Sequence, residues 1–188
     1  MVEHKDKIRM SSKDYIPNVP YVDKGINLCW LPNGLICIGC CGFDFASELS
    51  KNMKKAFIKA LLQNTEEYEK CNKDSIVFKG IYKSYDLHEC GLCRKLIVDD
   101  KLPEKELMNE PRLKITCPLH PACNQGKELR KGECDPRYMC RTQRLFHLEW
   151  NEEKQKRFVD FVMSRNLDWF DYSVQMHTNS LLKEFSEM

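Results

Sequence analysis

Eleven cysteines are the side chains of this 188-residue chain that could do chemistry. An odd number of cysteines cannot all form disulfide bonds within one chain, and cysteine thiolates are strong ligands for zinc and iron. The densest group lies in GLICIGCCGFDF, residues 34–45, which contains Cys37, Cys40 and Cys41. We therefore expect these cysteines to bind metal ions.

The segment HECGLCRKL contains the best-spaced pair, Cys90 and Cys93. Two residues between cysteines allow one tight turn to direct both sulfurs at one ion, with backbone N–H groups placed to hydrogen-bond the thiolates. The segment TCPLHPAC then supplies Cys117, His120 and Cys123. Either Cys117 with His120 or Cys117 with Cys123 would complete four ligands. This spacing predicts a treble-clef or ribbon-like zinc site.

A second candidate site combines the dense cysteine group with the later segment GECDPRYMCRTQRLF. Neighbouring residues of an extended chain point to opposite sides, so Cys40 and Cys41 reach one ion only if their loop bends sharply. One of the two would otherwise face a different metal or remain a reactive thiol. The candidate ligands of this second site are Cys29, Cys37, Cys40, Cys41, Cys134 and Cys140.

Basic residues accompany both cysteine groups. Four thiolates around a divalent ion leave two excess negative charges, which nearby cations would offset. The basic residues beside the cysteines are Arg94, Lys95, Arg137, Arg141 and Arg144.

The cysteine pattern resembles that of the YkgJ-like proteins, a zinc- or iron-chelating family named for its CxxCxxCC motif. The resemblance rests on Cys37, Cys40 and Cys41 together with the later series that ends in Cys140-Arg141, and it spans about residues 29–146. It implies metal chelation by these cysteines and leaves the biochemical role open.

The elements that must position these ligands indicate one α+β domain, a small metal-stapled fold with its cysteine knuckle packed on several helices. We expect an irregular arm over residues 1–28, a metal-ligand region over 29–146 and C-terminal helices over 147–188.

Apolar spacing predicts a helix from Asp44 to about Gln63, whereas the β-branched and aromatic residues of SIVFKGIYKSY, residues 75–85, predict a strand or bent hairpin. Capping signals predict a short helix over 104–108, a helix that begins after Asn151 and a further helix from about Asp168 to Phe185. The aromatic residues of that last segment are expected to form core.

Charge and composition limit the functional classes. The formal net charge is +2 with both signs interspersed, which does not favour nucleic acid as a partner. No signal peptide or membrane span is evident, so we expect a cytoplasmic protein. No common catalytic motif is present, and the sequence does not decide whether the chain is an enzyme. We expect one or two zinc ions to stabilise the fold, and we expect the folded protein to present a surface to a protein partner. The alternative is an iron–sulfur or redox protein, either an enzyme or its accessory factor.

Overall fold

The computed structural model describes residues 26–39, 41, 51–99, 101–134 and 139–188. Helices dominate this part of the chain, and a small two-stranded sheet joins them, which confirms an α+β fold at the coarse level. The predicted N-terminal arm, except for residues 26–28, and Cys40 lie outside the described residues. The elements are α1 (Lys51–Lys70), α2 (Ser75–Ile81), β1 (Ile97–Val98), α3 (Glu104–Leu107), β2 (Ile115–Thr116), a 3-10 helix (Pro121–Cys123), α4 (Arg141–Leu148), α5 (Glu152–Ser164), α6 (Trp169–His177) and α7 (Ser180–Ser186).

Helix α1 is the central element of the N-terminal half. It packs against α2, α3 and β1, and Phe57, Ile58 and Leu61 on its inner face are fully buried. The helix continues to Lys70 instead of ending near Gln63, while its predicted beginning at residues 44–50 lies outside the described residues. Its additional turns are held to the sheet, because the Thr65 hydroxyl accepts a hydrogen bond from the backbone N–H of Val98 at 3.1 Å.

The prediction of a strand over residues 75–85 is wrong, because Ser75–Ile81 forms helix α2. The Asp74 carboxylate caps this helix by accepting hydrogen bonds from the backbone N–H groups of Ile76 and Val77, at 2.8 and 3.1 Å. This cap favours the helix over the intrinsic β-propensity of a segment in which only Phe78 is buried.

Strands β1 and β2 pair in antiparallel register, with Ile97 opposite Thr116 and Val98 opposite Ile115. The loop between them contains α3, which confirms the short helix predicted after Pro103. The sheet therefore brings together the segments that follow Cys93 and precede Cys117.

Two hydrophobic cores share helix α6. The first core lies between α1, the sheet and the start of α6, and it includes Phe57, Leu61, Val98, Ile115 and Trp169. The second lies between residues 28–37 and helices α4–α7, and it includes Leu28, Phe146, Phe158, Tyr172 and Phe185. The predicted role of the C-terminal aromatic residues as core is confirmed.

The C-terminal helices begin at the predicted residues but divide differently. Asn151 caps α5 by accepting from the Lys154 N–H at 2.9 Å, as its sequence position predicts. The predicted single helix after Asp168 is two helices, because Asn179 adopts a left-handed conformation with φ of 59° and separates α6 from α7. Within the described part of the chain, no helix has the length and apolar character needed to cross a membrane.

Candidate functional site

The Cys90–Cys93 segment forms a tight turn directly before β1. The Gly91 N–H donates to the His88 carbonyl at 2.8 Å, and Gly91 has a φ of +85°, which a residue with a side chain rarely adopts. The Cys93 sulfur accepts a hydrogen bond from the Lys95 N–H at 3.4 Å. The Cys90 sulfur is likewise bonded by a backbone amide, that of Leu92. Backbone donors therefore point at both sulfurs of this turn.

Asn64 of α1 holds this turn against the first core. Its side chain is fully buried, and its Nδ2 donates to the carbonyls of Cys93 and Leu96 at 3.1 and 2.7 Å. Because both Nδ2 hydrogens are used, the Oδ1 atom accepts the third hydrogen bond, 2.7 Å long, from Nε2 of His88. One side chain thus fixes the residues on both sides of the cysteine pair.

Cys117 lies within electrostatic range of both Cys93 of the first cysteine turn and Cys134. Burial raises the pKa of Cys117 to about 12, and the neighbouring Cys93 and Cys134 contribute to the rise although the Leu119 amide opposes it. Burial also raises the pKa of Cys93 and of Cys90. These thiols therefore come from three separate segments, and burial favours their neutral form over the thiolate.

Arg130 lies beside the same group of thiols. Cys134 and Cys117 both act on the charge of this guanidinium, although its direct partner is the Glu128 carboxylate, with Nε 2.9 Å from Oε1. The loop that carries Cys134 is thus anchored next to Cys117.

Cys29, Cys37 and Cys140 surround Tyr172 of α6. Burial raises the pKa of the Tyr172 hydroxyl, and these three thiols add to the rise, so all three lie within electrostatic range of one phenol oxygen. The hydroxyl donates to the Leu28 carbonyl at 2.7 Å, which fixes the hairpin that carries Cys29 and Cys37.

Backbone amides also bond the sulfurs of this second group. The Gly39 N–H donates to the Cys37 sulfur at 3.4 Å, and the Gln143 N–H donates to the Cys140 sulfur at 3.5 Å. Cys140 thereby caps α4, a helix that the sequence analysis did not predict.

The extended residues 36–38 separate the two groups. Ile36 and Ile38 belong to the first core, whereas Cys37 between them belongs to the second. Cys41 packs against the first core, and its carbonyl accepts from the Cys93 N–H at 3.1 Å. Cys37 and Cys41 therefore lie against different cores, while the expectation that Cys40 and Cys41 face different metals stays a prediction because Cys40 lies outside the described residues.

His120 and Cys123 have different surroundings from the other candidate ligands. The His120 side chain caps the 3-10 helix, with Nδ1 accepting from the Ala122 N–H at 3.1 Å. Cys123 is exposed, and the charges acting on its thiol are those of Asp99 and Lys114. Sequence spacing groups Cys134 with Cys140, whereas the structure brings Cys134 into range of Cys117. Cys71 lies in the turn after α1, apart from both groups of thiols.

Among the described residues, no three His, Cys, Asp or Glu side chains already meet closely enough to hold a metal ion. Cysteine sulfurs are soft ligands, and those that accept hydrogen bonds from backbone amides suit zinc or iron better than cations that prefer oxygen ligands.

Comparison with known proteins adds no assignment, since no family model, curated protein or solved structure matches the chain. The fold and the thiol groups therefore define a cysteine-rich α+β protein, and the YkgJ-like resemblance stays a prediction from the sequence.

Proposed function

We propose that this chain is a zinc-binding protein in which two thiolate centres hold the fold together and present a surface to a protein partner. The first centre would use Cys90, Cys93, Cys117 and Cys134. The second would use Cys29, Cys37 and Cys140, with Cys40 and Cys41 as the residues that complete one or both centres.

The observation that carries this proposal is the direction of backbone N–H groups toward cysteine sulfur in both groups. Cys93 and Cys37 each accept from the amide two residues further along, at 3.4 Å. Such bonds stabilise the thiolate, the form that binds metal, whereas a cysteine kept only for packing has no need of them. Burial opposes ionisation of Cys117, so this thiol would become a thiolate ligand only on binding a divalent cation.

The proposed interaction surface lies on and just after α2. Four large apolar side chains are exposed there, Ile76, Val77, Ile81 and Tyr85, and Ile76 is 71% exposed. Exposed apolar groups of this kind are typical of surfaces that contact other proteins. Lys95, two residues after Cys93, bonds carbonyls of α2, so this surface belongs to a helix that contacts the first cysteine segment.

Metal analysis of anaerobically purified, untagged protein tests the proposal. We expect a colourless protein with about one or two zinc equivalents, because zinc has a filled d shell and four-coordinate thiolate sites. A brown, iron-rich preparation with visible absorption would contradict the zinc assignment and favour the iron–sulfur or redox alternative.

Cysteine variants locate the metal. Cys93→Ser and Cys117→Ser are each expected to lower the zinc content by the equivalent bound at the first centre. Cys71→Ser is the matched control, because Cys71 lies outside both thiol groups, and it should retain full zinc content. Equal zinc loss in all three variants would contradict the ligand assignment.

A further inference from the structure

Helix α2 presents one face of exposed apolar residues. Ile76, Val77 and Ile81 are 71%, 54% and 43% exposed, whereas Phe78 on the opposite side of the helix is fully buried. Residues four apart are neighbours on a helix surface, so Ile76 lies beside Gly80 and Val77 lies beside Ile81. Three apolar side chains and one glycine therefore form a continuous face.

Gly80 makes a notch in this face. A Cβ atom built at Gly80 would meet no other atom of the described residues within 4 Å, so the position opens to solvent. The backbone of Gly80 is helical and has no positive φ, and glycine is unfavourable inside a helix relative to alanine. Neither backbone conformation nor packing among the described residues therefore requires glycine here, whereas close approach by a second molecule would require it.

The apolar face is complementary to itself when two copies of α2 pack in antiparallel orientation. With a two-fold axis midway between residues 78 and 79, each residue is level with the one equally far beyond the axis on the second copy. Ile76 is then level with Ile81, and Val77 is level with Gly80. The notch at Gly80 receives the branched side chains of the second copy, as ridges of one helix enter grooves of another. Such an interface uses the same patch on both copies.

The charges at the two ends of α2 match in the same arrangement. Asp74 precedes the helix and Lys83 follows it, and both residues are exposed. The helix cap uses only Oδ1 of Asp74, so Oδ2 can accept from a lysine. In the antiparallel pair, Asp74 of each copy lies near Lys83 of the other. A parallel pair would instead bring like charges together, so the charges favour the antiparallel orientation.

We propose that this face of α2 docks against the same face of a second copy of the chain, as an antiparallel pair with two-fold symmetry. The second copy would be the protein partner of the proposed function, so the pairing rests on that proposal for its surface but not for its zinc. The face has far fewer residues than the roughly 20–30 per side of a standard interface. The dimer is therefore weak and reversible, with a Kd on the order of 100 μM.

Sedimentation of the full chain, as purified and under reducing conditions, tests the pairing. Between about 5 and about 500 μM, we expect the average mass to rise from 22.2 kDa toward twice that value. Gly80→Gln fills the notch. Its monomer should stay folded, because the added side chain meets no described atom at its Cβ and glutamine is a better helix former than glycine. The Kd should rise by at least about tenfold, because the notch can no longer receive the second copy.

Charge reversal tests the orientation. Lys83→Glu places like charges together at both ends of the interface, so the Kd should rise by about fivefold. Asp74→Asn alone should also raise the Kd, because it removes the opposite charge while asparagine still caps the helix. Added to Lys83→Glu, the same Asp74→Asn substitution should lower the Kd, because it relieves the repulsion. This change of sign is the expected signature of contact between the two copies.

Met163→Ser on α5 is the matched control for Ile81→Ser, because both side chains are 43% exposed. Ile81→Ser should raise the Kd, and Met163→Ser should leave it unchanged. Monomer mass up to about 500 μM would overturn the pairing and leave the face to a different protein. A dimer equally stable in wild type and Gly80→Gln would overturn it as well. Zinc content, measured on the same samples, tests the proposed function separately, since absence of zinc would contradict that function whatever the mass.

Discussion

Asn64 holds the Cys90–Cys93 turn in place although it is not itself a candidate ligand. Its amide bonds the Cys93 and Leu96 carbonyls, and its oxygen bonds His88. Asn64→Leu keeps the branched shape and the number of side-chain heavy atoms but leaves these buried polar groups without partners. We expect the variant to lose roughly 2–4 kcal/mol of unfolding free energy, because each unsatisfied buried group costs about 1–3 kcal/mol. Urea unfolding monitored by circular dichroism measures the change.

Asn109 provides the matched control for this variant. It is exposed, and its amide donates to the Lys105 carbonyl at 3.0 Å. Asn109→Leu should change the unfolding free energy by less than about 0.5 kcal/mol, the usual range for surface substitutions. Similar losses in the two variants would show that the contacts of Asn64 with the cysteine turn have no special weight.

The grouping of the candidate ligands could be predicted from the sequence only in part. Spacing identifies the Cys90–Cys93 turn, because two intervening residues place both sulfurs in one local structure. It cannot decide which distant residue approaches Cys117, since the path of the chain after β2 depends on packing. Pro121 begins a 3-10 helix, and Nδ1 of His120 is used to cap it. Cys134, which lies further along the chain, is the residue that comes within electrostatic range of Cys117. No sequence signal marks Asn64 or Tyr172 as neighbours of the thiols.

Helix α2 connects the thiol group to the exposed apolar surface. Asp74 caps one end of this helix, and Lys95 bonds carbonyls near the other end. Asp74→Ala removes the cap and should lower the unfolding free energy by about 0.5–2 kcal/mol. Hydrogen exchange should be faster at the amides of residues 75–81 than in wild type.

The cap prediction has an internal control in α5. Asn151→Ala removes a comparable cap from that helix, where Asn151 bonds the Lys154 N–H at 2.9 Å. Faster exchange should then occur in residues 152–164, with α2 unchanged. If Asp74→Ala leaves exchange in α2 unchanged, tertiary contacts and not the cap determine that helix.

The other helices show why some elements are predictable. Helices α3 and α5 begin with proline or a cap followed by acidic residues, and both signals are local. The Asp74 cap favours helix α2 although the segment is rich in residues that prefer strands. The break between α6 and α7 depends on the left-handed backbone of Asn179. Helix α4 starts at a cysteine cap, a residue that sequence rules do not count among common caps.

In the described part of the chain, the two cores meet at residues 36–38 and at Cys41. Ile36 and Ile38 pack into one core and Cys37 into the other, and the carbonyl of Cys41 bonds the cysteine turn. Helix α6 connects the same cores through Trp169 and Tyr172. Because these contacts tie the two cores together, loss of metal from either proposed centre should weaken both cores.

The pH dependence of stability should differ between the metal-free and zinc-loaded proteins. In the metal-free protein, burial raises the pKa of Cys117 to about 12. A raised folded-state pKa contributes stability below the unfolded value of about 8.5, and this contribution is lost as pH rises toward the folded value. The metal-free protein should therefore become less stable above about pH 8.5, by up to roughly 5 kcal/mol from Cys117 when its thiol is fully ionised.

Zinc should reverse this trend, because metal-bound thiols are already deprotonated at neutral pH. Urea unfolding at about pH 7.5 and about pH 9.5, with chelator or with zinc, compares the two forms under reducing conditions. We expect the stability added by zinc to increase between these pH values, since the zinc-loaded protein avoids the cost of ionising buried thiols. Cys117→Ser removes the most strongly shifted thiol, so its metal-free form should lose less stability over the same range. Parallel pH profiles for the two wild-type forms would contradict binding of zinc by these thiols.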